Sequence, residues 1–464
     1  MSGAADVPAT VHPSLWFTAL GEVPARPPLA GARPADVCIV GGGMSGLWTA
    51  LELCRADPGL EVVVLERERV GFGASGRNGG WVVGELSGGF GAWAARAGAA
   101  AAAEQERLIA ATVGEIGRVV EEAGIDCDFL HCGALDVAQT PVEWDRLRAG
   151  FEAARVAPGA RPGPQLLSAA AARERIEVAG LRGAVFAPDV ARVQPAKLVV
   201  GLAAAAERAG ARICEGTAVT AIEPGRVRTA HGDVRARWIV RATEAYGAEF
   251  ADRRREVVPI NSALIATEPL AEDDWRRLGW HGPALLADAA HMYVYLQRTA
   301  DGRIVIGGRG VPYRYGSRTR REGAVPRRTI AELRARLTRL FPAAADLRIE
   351  CAWHGVLGVA RDWMPAVGVD RRRGEGWAVG YAGEGLAAAN LAGRTLRDLI
   401  LERDTELTAL PWVGPPARRW EPEPLRFLGI RGVYSLLRGA DAIERRSGRS
   451  SRLAKLADRL AGRP

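Results

Sequence analysis

Apolar residues along this chain fall in short, separated clusters, and their spacing predicts alternating strands and helices. Residues 36–40 close on the run VCIV, short and β-branched, which reads as a buried strand. Leu47, Leu51 and Cys54 recur at helical spacing, so a helix follows the glycine turn at 41–46, and residues 62–65 make a second buried strand. The three elements form a βαβ unit. An alanine-rich helical stretch runs from Gly91 to about Glu122, and another helix is expected near 141–155. Pro195 opens a further helix that Gly210 ends, followed by the strand ARICEG. Residues 219–241 alternate as hairpin strands, with turns at Pro224–Gly225 and His231–Gly232. Alternation returns at 257–267 and 292–308, predicting a mostly antiparallel sheet, and 377–401 reads as strand, turn and helix.

With 464 residues the chain is long enough for two packed domains, and 48% hydrophobic against 25% charged residues is ordinary for a soluble globular protein. Six cysteines without CxxC spacing read as reduced and mostly buried, and six scattered histidines do not cluster at metal-ligand spacing. The opening MSGAADVPAT lacks a basic start followed by an apolar stretch, so no secretory signal is expected. No apolar run reaches the ~18 residues of a membrane span. A cytoplasmic protein is expected. The net charge of +8 resides almost wholly in the tail, where residues 418–464 carry twelve Arg/Lys against five Asp/Glu. The remainder is near neutral, which gives no support to nucleic-acid binding.

The segment DVCIVGGGMSGLWTALEL contains GxGxxG as Gly41, Gly43 and Gly46. Gly41 suits a tight turn off the strand, Gly43 lets backbone approach a diphosphate, and Gly46 lets the helix pack against the sheet. Met44 and Ser45 then start the helix, whose free N–H groups favour a phosphate. Glu66, at the end of the next strand, suits a ribose diol, with Arg67 beside it. Alone the motif is weak evidence, since a glycine-rich turn and a surface acid look the same. Its place between strand, helix and acid makes it specific.

A second glycine-rich loop, GFGASGRNGGW (71–81), follows directly. A nicotinamide enzyme has no need of it; FAD, a longer cofactor, extends across the domain. LERERVGFGASGRNGG resembles the FAD oxidoreductases of the D-amino-acid oxidase type, and among them the gamma-glutamylputrescine oxidase group most. The resemblance continues through RVQPAKLVVGLAAAAERAGARICEGTAVTAIE, through WHGVLGVARDWMPAVG and through GYAGEGLAAANLAGRTLRDLI, in the family's order. It implies FAD contacts at Ala74, Ser75, Arg77, Asn78, Gly79 and Gly80, at Val219 near the adenine, and at Gly383, Glu384, Gly385 and Leu386 near the flavin. Residues 383–386 also stand at a helix start, where N–H groups stabilise charge on a reduced flavin. LLADAAH (285–291) looks like a flavin-hydroxylase signature, but Ala287 replaces its glycine and an alternating strand follows, so the likeness is a coincidence.

The expected fold is α/β with an α+β second part: a Rossmann-like FAD-binding domain over 1–90, 190–248 and 350–412, and a discontinuous, mostly antiparallel substrate domain over 91–189 and 249–349. Candidates for the reacting face are His291, Tyr293 and Tyr295 on HMYVYLQ, Arg309 in GGRG, and His354. Tyr293 and Tyr295 share a strand face, and Arg309 suits a substrate carboxylate. Each also has an ordinary structural reading, as a core-edge tyrosine, a solvated arginine or a hydrogen-bonded histidine. Two departures bear on substrate. Where sarcosine-oxidase-like relatives carry a lysine for the substrate carboxylate, this chain has Ala388, which argues against a simple N-methyl amino acid. Cys351 falls near the position at which those relatives attach flavin covalently, although a buried strand cysteine is the simpler reading.

Residues 413–464 form a basic helical tail. Leu425, Leu428, Val433, Leu436 and Leu437 suggest one apolar stripe, and Leu453, Leu456 and Leu460 another. Such helices pack on their own protein or a subunit, and also suit an anionic membrane surface. The resemblance implies oxidation of a small amine (amino acid, polyamine or γ-glutamylated amine), with O2 accepting the electrons to give H2O2. The alternatives are a dehydrogenase using a quinone or protein acceptor, and a flavin-binding protein without catalysis.

Overall fold

The computed structural model describes residues 9–155, 163–308, 313–319, 324–416 and 418–462. Its first sheet is built on parallel strands in the order Arg212–Cys214, Val62–Leu65, Arg33–Val40, Gly232–Arg241 and Glu375–Val379. The hairpin strands Arg226–Thr229 and Val219–Glu223 extend it on one side, and Ala366–Asp370 pairs antiparallel with the last strand. Val37 to Val40 and Val62 to Leu65 are all buried, because a parallel sheet is covered on both faces and needs continuous apolar strands. The helices Met44–Ala56, Pro195–Arg208 and Gly385–Ile400 pack into the same core cluster. Helices 44–56 and 385–400 cross closely enough that a Cβ on Gly393 would lie 2.8 Å from the backbone of Trp48.

The second sheet has nine strands, ordered Ala9–Thr10, Ile349–Ala360, Val257–Thr267, Ile304–Gly308, Val294–Arg298, Leu285–Asp288, Ala134–Ala138, Gly183–Ala187 and Gln165–Ser168. It is antiparallel except at the first pair and at Leu285–Asp288 against Ala134–Ala138. A small sheet of Trp81–Val83, Val190–Arg192 and Leu130–His131 lies outside both.

Four expectations change. The strand over 349–360, assigned to the dinucleotide-binding segment, pairs instead along its length with Val257–Thr267, because long-range pairing decides membership and leaves no mark in a strand's own sequence. The leader, rich in Pro, Ala and Gly, reads from sequence as ordered but irregular, yet its apolar cluster at Leu15, Trp16 and Phe17 starts a short helix, Leu15–Leu20, capped by Ser14. The alanine-rich stretch divides at Gly98, whose φ of +87° breaks it into Gly89–Ala97 and Ala99–Glu122. In the tail, helices Leu425–Ser447 and Arg452–Ala461 form, but of the leucines named above only Leu437 is buried. Leu425, Leu428, Leu456 and Leu460 are exposed, while Tyr434, Asp441, Glu444, Ala454 and Ala457 are buried. Alanine lets the second helix approach closely, and the two carboxylates reach partners on the body of the protein. Among the described residues no helix is long and apolar enough to cross a membrane.

Candidate active site

The glycine turn is packed where side chains do not fit. Gly41 has φ of +114°, and a Cβ there would stand 2.5 Å from the carbonyl oxygen of Ala242. At Gly46 a Cβ would stand 2.1 Å from the Gly41 carbonyl oxygen. Gly43 is the N-cap of helix Met44–Ala56. The carboxylate of Glu66 accepts from the amides of Gly42 (2.7 Å) and Glu68 (2.9 Å), and burial pushes it above the usual carboxylate range against those donors. Arg67 pairs with Glu249 at 2.7 Å and lies over the Tyr246 ring.

The second loop is held from several sides. The amide of Met44 donates to Ser75 Oγ at 2.9 Å, which joins the two loops. Asn78 turns inward, donating to the carbonyls of Ala74 (3.1 Å) and Ser75 (2.9 Å) and accepting from the Gly80 amide (2.8 Å). Buried Arg77 donates to the carbonyls of Phe72 (2.7 Å) and His354 (3.3 Å). The leader adds Ser14 Oγ donating to the Gly76 carbonyl at 2.6 Å and the Trp16 indole donating to that of Asn78 at 2.8 Å.

Both loops open on one cavity of about 1050 Å³, at the upper end of the ~300–1,000 Å³ usual for small-molecule sites. Gly41, Gly43, Met44, Ser45, Glu66, Arg67, Ala74, Ser75, Arg77, Asn78, Gly79, Val219, Gly383, Glu384, Gly385 and Leu386 line it. Gly385 begins the helix Gly385–Ile400, so backbone N–H groups point into the cavity there. Ser45 Oγ and Tyr381 Oη are hydrogen-bonded at 2.8 Å, tying the first loop to the last. Gly46 and Gly80 do not line the cavity; they clear space behind it. Tyr293 and Tyr295 both line it, Tyr295 on the strand Val294–Arg298 and Tyr293 just before that strand begins. Tyr295 sits between Gly79 and Gly307, at either of which a Cβ would come within 2.5 Å of its ring, and its Oη lies 3.1 Å from Ser262 Oγ.

Two of the proposed catalytic residues fall elsewhere. His354 stands opposite Ala263, one residue out of phase with cavity-lining Leu264, so alternation sends its side chain to the other face of the sheet. His291 Nε2 meets Glu444 at 3.1 Å and Arg146 at 3.0 Å, and its amide donates to Asp441, so it anchors the tail. Arg309 lies outside the described residues. Cys351 also does not line the cavity: it is buried with Leu15, Trp16 and Trp353, and burial pushes its thiol up to about 12. Ala388 is fully buried in the core of the first sheet.

Other lining residues were missed. Ala242 to Tyr246 follow the strand Gly232–Arg241, and Glu244 takes positive φ (+45°) to accept from the amides of Gly380 (3.0 Å) and Tyr381 (3.2 Å). A run of small residues after an apolar strand was the available signal. Asp136, Ser262 and Tyr434 also line the cavity and carry none.

A glycine-cleared turn at a helix N-terminus, an acid on the next strand and a cavity running on beneath an antiparallel sheet define a dinucleotide-dependent oxidoreductase of the flavin type. The chain belongs to the FAD dependent oxidoreductase (DAO) family, whose profile matches residues 36–399. It is similar to the gamma-glutamylputrescine oxidoreductase of Escherichia coli (strain K12), 32% identical with 86% of this chain and 92% of that protein covered. It is also similar to the glycine oxidase of Geobacillus kaustophilus (strain HTA426), 26% identical with 81% and 96% covered. Among solved structures, L-proline dehydrogenase from P. horikoshii shares the fold at a TM-score of 0.68 and 21% identity, covering 82% of this chain and 96% of that one. The protein is thus an FAD-dependent oxidoreductase acting on a CH–NH or CH–NH2 group, and the backbone cradle around Gly41 to Ser45 fits that cofactor.

Proposed function

We propose that the chain oxidises a primary or secondary amine (an amino acid, a polyamine or a γ-glutamylated amine) and passes the electrons to O2. FAD, when bound, accepts a hydride equivalent from the C–H bond beside the substrate nitrogen, leaving an imine that water hydrolyses. Gly41, Gly43, Met44 and Ser45 hold the diphosphate, Glu66 and Arg67 the adjoining ribose, and Val219 backbone the adenine end. The loop from Ala74 to Gly79 and the helix start at Gly383–Leu386 flank the flavin, where their amides favour the added negative charge.

Substrate lies over the sheet row that carries Tyr295. A free amine is mostly protonated at neutral pH, with pKa near ~10. The walls formed by Tyr295, Ile260 and Leu264 exclude water and favour the neutral form that reacts. One observation carries this reading: the dinucleotide loops and the antiparallel sheet open on the same cavity, so cofactor and substrate meet there.

The test is anaerobic mixing of FAD-loaded protein with a panel of amines, followed by mixing of the reduced protein with air. Bleaching by at least one amine and reoxidation within seconds support the reading. Reoxidation that takes minutes removes O2 as acceptor in favour of a quinone or protein, and an amine panel that never bleaches the flavin removes amine oxidation.

A further inference from the structure

The cavity continues past Tyr295 to an acidic end. Strand register sets Tyr295 opposite Ala287, and Ala287 opposite Asp136, so the three share one face of the second sheet. All three line the cavity. Two strand spacings put Asp136 about 10 Å from Tyr295 across the sheet. Asp288 and Glu85 line the same end.

Among the described residues, two arginines near this end are already engaged. Arg336 pairs with Asp288. Arg146, which also lines the cavity, pairs with Glu444 at 3.0 Å. No hydrogen bond or ion pair reaches the Asp136 carboxyl among the described residues. Asp136 lies deep in the protein yet keeps part of its surface open to the cavity. An uncompensated carboxylate in such a place is costly, and a cation brought by the ligand removes that cost.

We propose that Asp136 recognises a second ammonium group of the substrate, remote from the nitrogen undergoing oxidation. The substrate class is then a diamine or polyamine, or another amine with a distant cation. A carboxylate at that end, as in a short amino acid, meets Asp136 beside Glu85 and is repelled. Burial and those neighbours push the Asp136 carboxyl up to about 7, so an arriving ammonium displaces its proton and forms a charge pair.

This inference rests on the amine-oxidising reading above, and the test separates the two. Wild-type and Asp136→Asn proteins, both loaded with FAD, are compared on 1,4-diaminobutane and n-butylamine by anaerobic flavin bleaching. The wild type should favour the diamine about tenfold or more, a charged hydrogen bond's worth. Asp136→Asn should keep its flavin and lose that preference, the ratio of diamine to n-butylamine bleaching rates falling toward one. Asp136→Glu should retain it but shift the optimum toward a shorter diamine, which a general loss of structure does not do. A wild type without diamine preference, or an Asp136→Asn protein that keeps it, overturns the inference alone. Loaded flavin that neither amine bleaches overturns the inference, and the proposed function falls with it only if no amine of the wider panel bleaches the flavin either.

Discussion

The backbone amide of Met44 and the hydroxyl of Ser75 meet at 2.9 Å, across 31 residues of chain, where the first glycine loop faces the second. Ser75 thus occupies one of the helix N-terminal donors beside the expected diphosphate. Ser75→Ala should weaken FAD binding about fivefold, the size of one neutral hydrogen bond. Gly43→Ala should cost more, because its Cβ would lie 2.9 Å from Ser75 Oγ. Quenching of flavin fluorescence on titration of apoprotein measures both.

Tyr295 owes its position to missing side chains. A Cβ on Gly307 would lie 2.2 Å from Tyr295 Cζ, so Gly307→Ala must swing the ring into the cavity. Turnover should fall more than about tenfold with flavin content unchanged, since small displacements at a reacting face are costly. Tyr295→Phe removes the Oη contact to Ser262 and should change turnover by less than about fivefold. Equal losses in the two variants would contradict this account.

The charge at the acidic end of the cavity predicts a pH dependence. The Asp136 carboxyl, raised to about 7, is largely protonated below neutrality and ionised above it. Diamine preference over n-butylamine should therefore rise with pH through about 7 and then level. The ratio cancels the rise in neutral amine common to both substrates. Glu85 faces the same space, Asp288 on the neighbouring strand is already paired with Arg336, and Arg146 is held by Glu444. In Asp136→Asn the ratio should be flat with pH.

The tail closes part of the cavity from outside the family match. Asp441 accepts from the amides of His291 (2.9 Å) and Met292 (3.1 Å), next to cavity-lining Tyr293, and Tyr434 on the same helix lines the cavity directly. Asp441→Ala leaves two amides without their acceptor, worth about 1–3 kcal/mol each if buried. Raised KM, a lowered Tm and unchanged flavin content are expected. Unaltered KM would show that the tail does not shape the substrate end.

Cys351, walled off with Trp16 and Trp353, should play no part in holding flavin. Acid precipitation should release all the yellow colour from wild-type protein, and Cys351→Ser should behave alike. Colour remaining in the pellet of the wild type but not the variant would reverse this.

Much of the first sheet was readable because its signals are local. VCIV, GGGMSG and VVVL each state an element, and the acid at Glu66 falls where the next strand must end. Tyr295 was readable for the same reason, since a strand's period of two is a property of neighbouring residues, whereas Tyr293 reaches the cavity from the turn before that strand. His354 was misread because the phase of its strand is set by pairing with residues 257–267, nearly a hundred positions away. His291 was misread because its partners Asp441 and Glu444 lie in a tail that the sequence ties to nothing.

The sequence alone determined the dinucleotide turn, the FAD class and the alternation of helix and strand, because these follow from backbone freedom at glycine and from short-range apolar spacing. Only the tertiary structure decided which side chains share the cavity. Asp136, Ala287 and Tyr295 become neighbours through inter-strand register, and register depends on long-range burial that no local stretch of residues encodes.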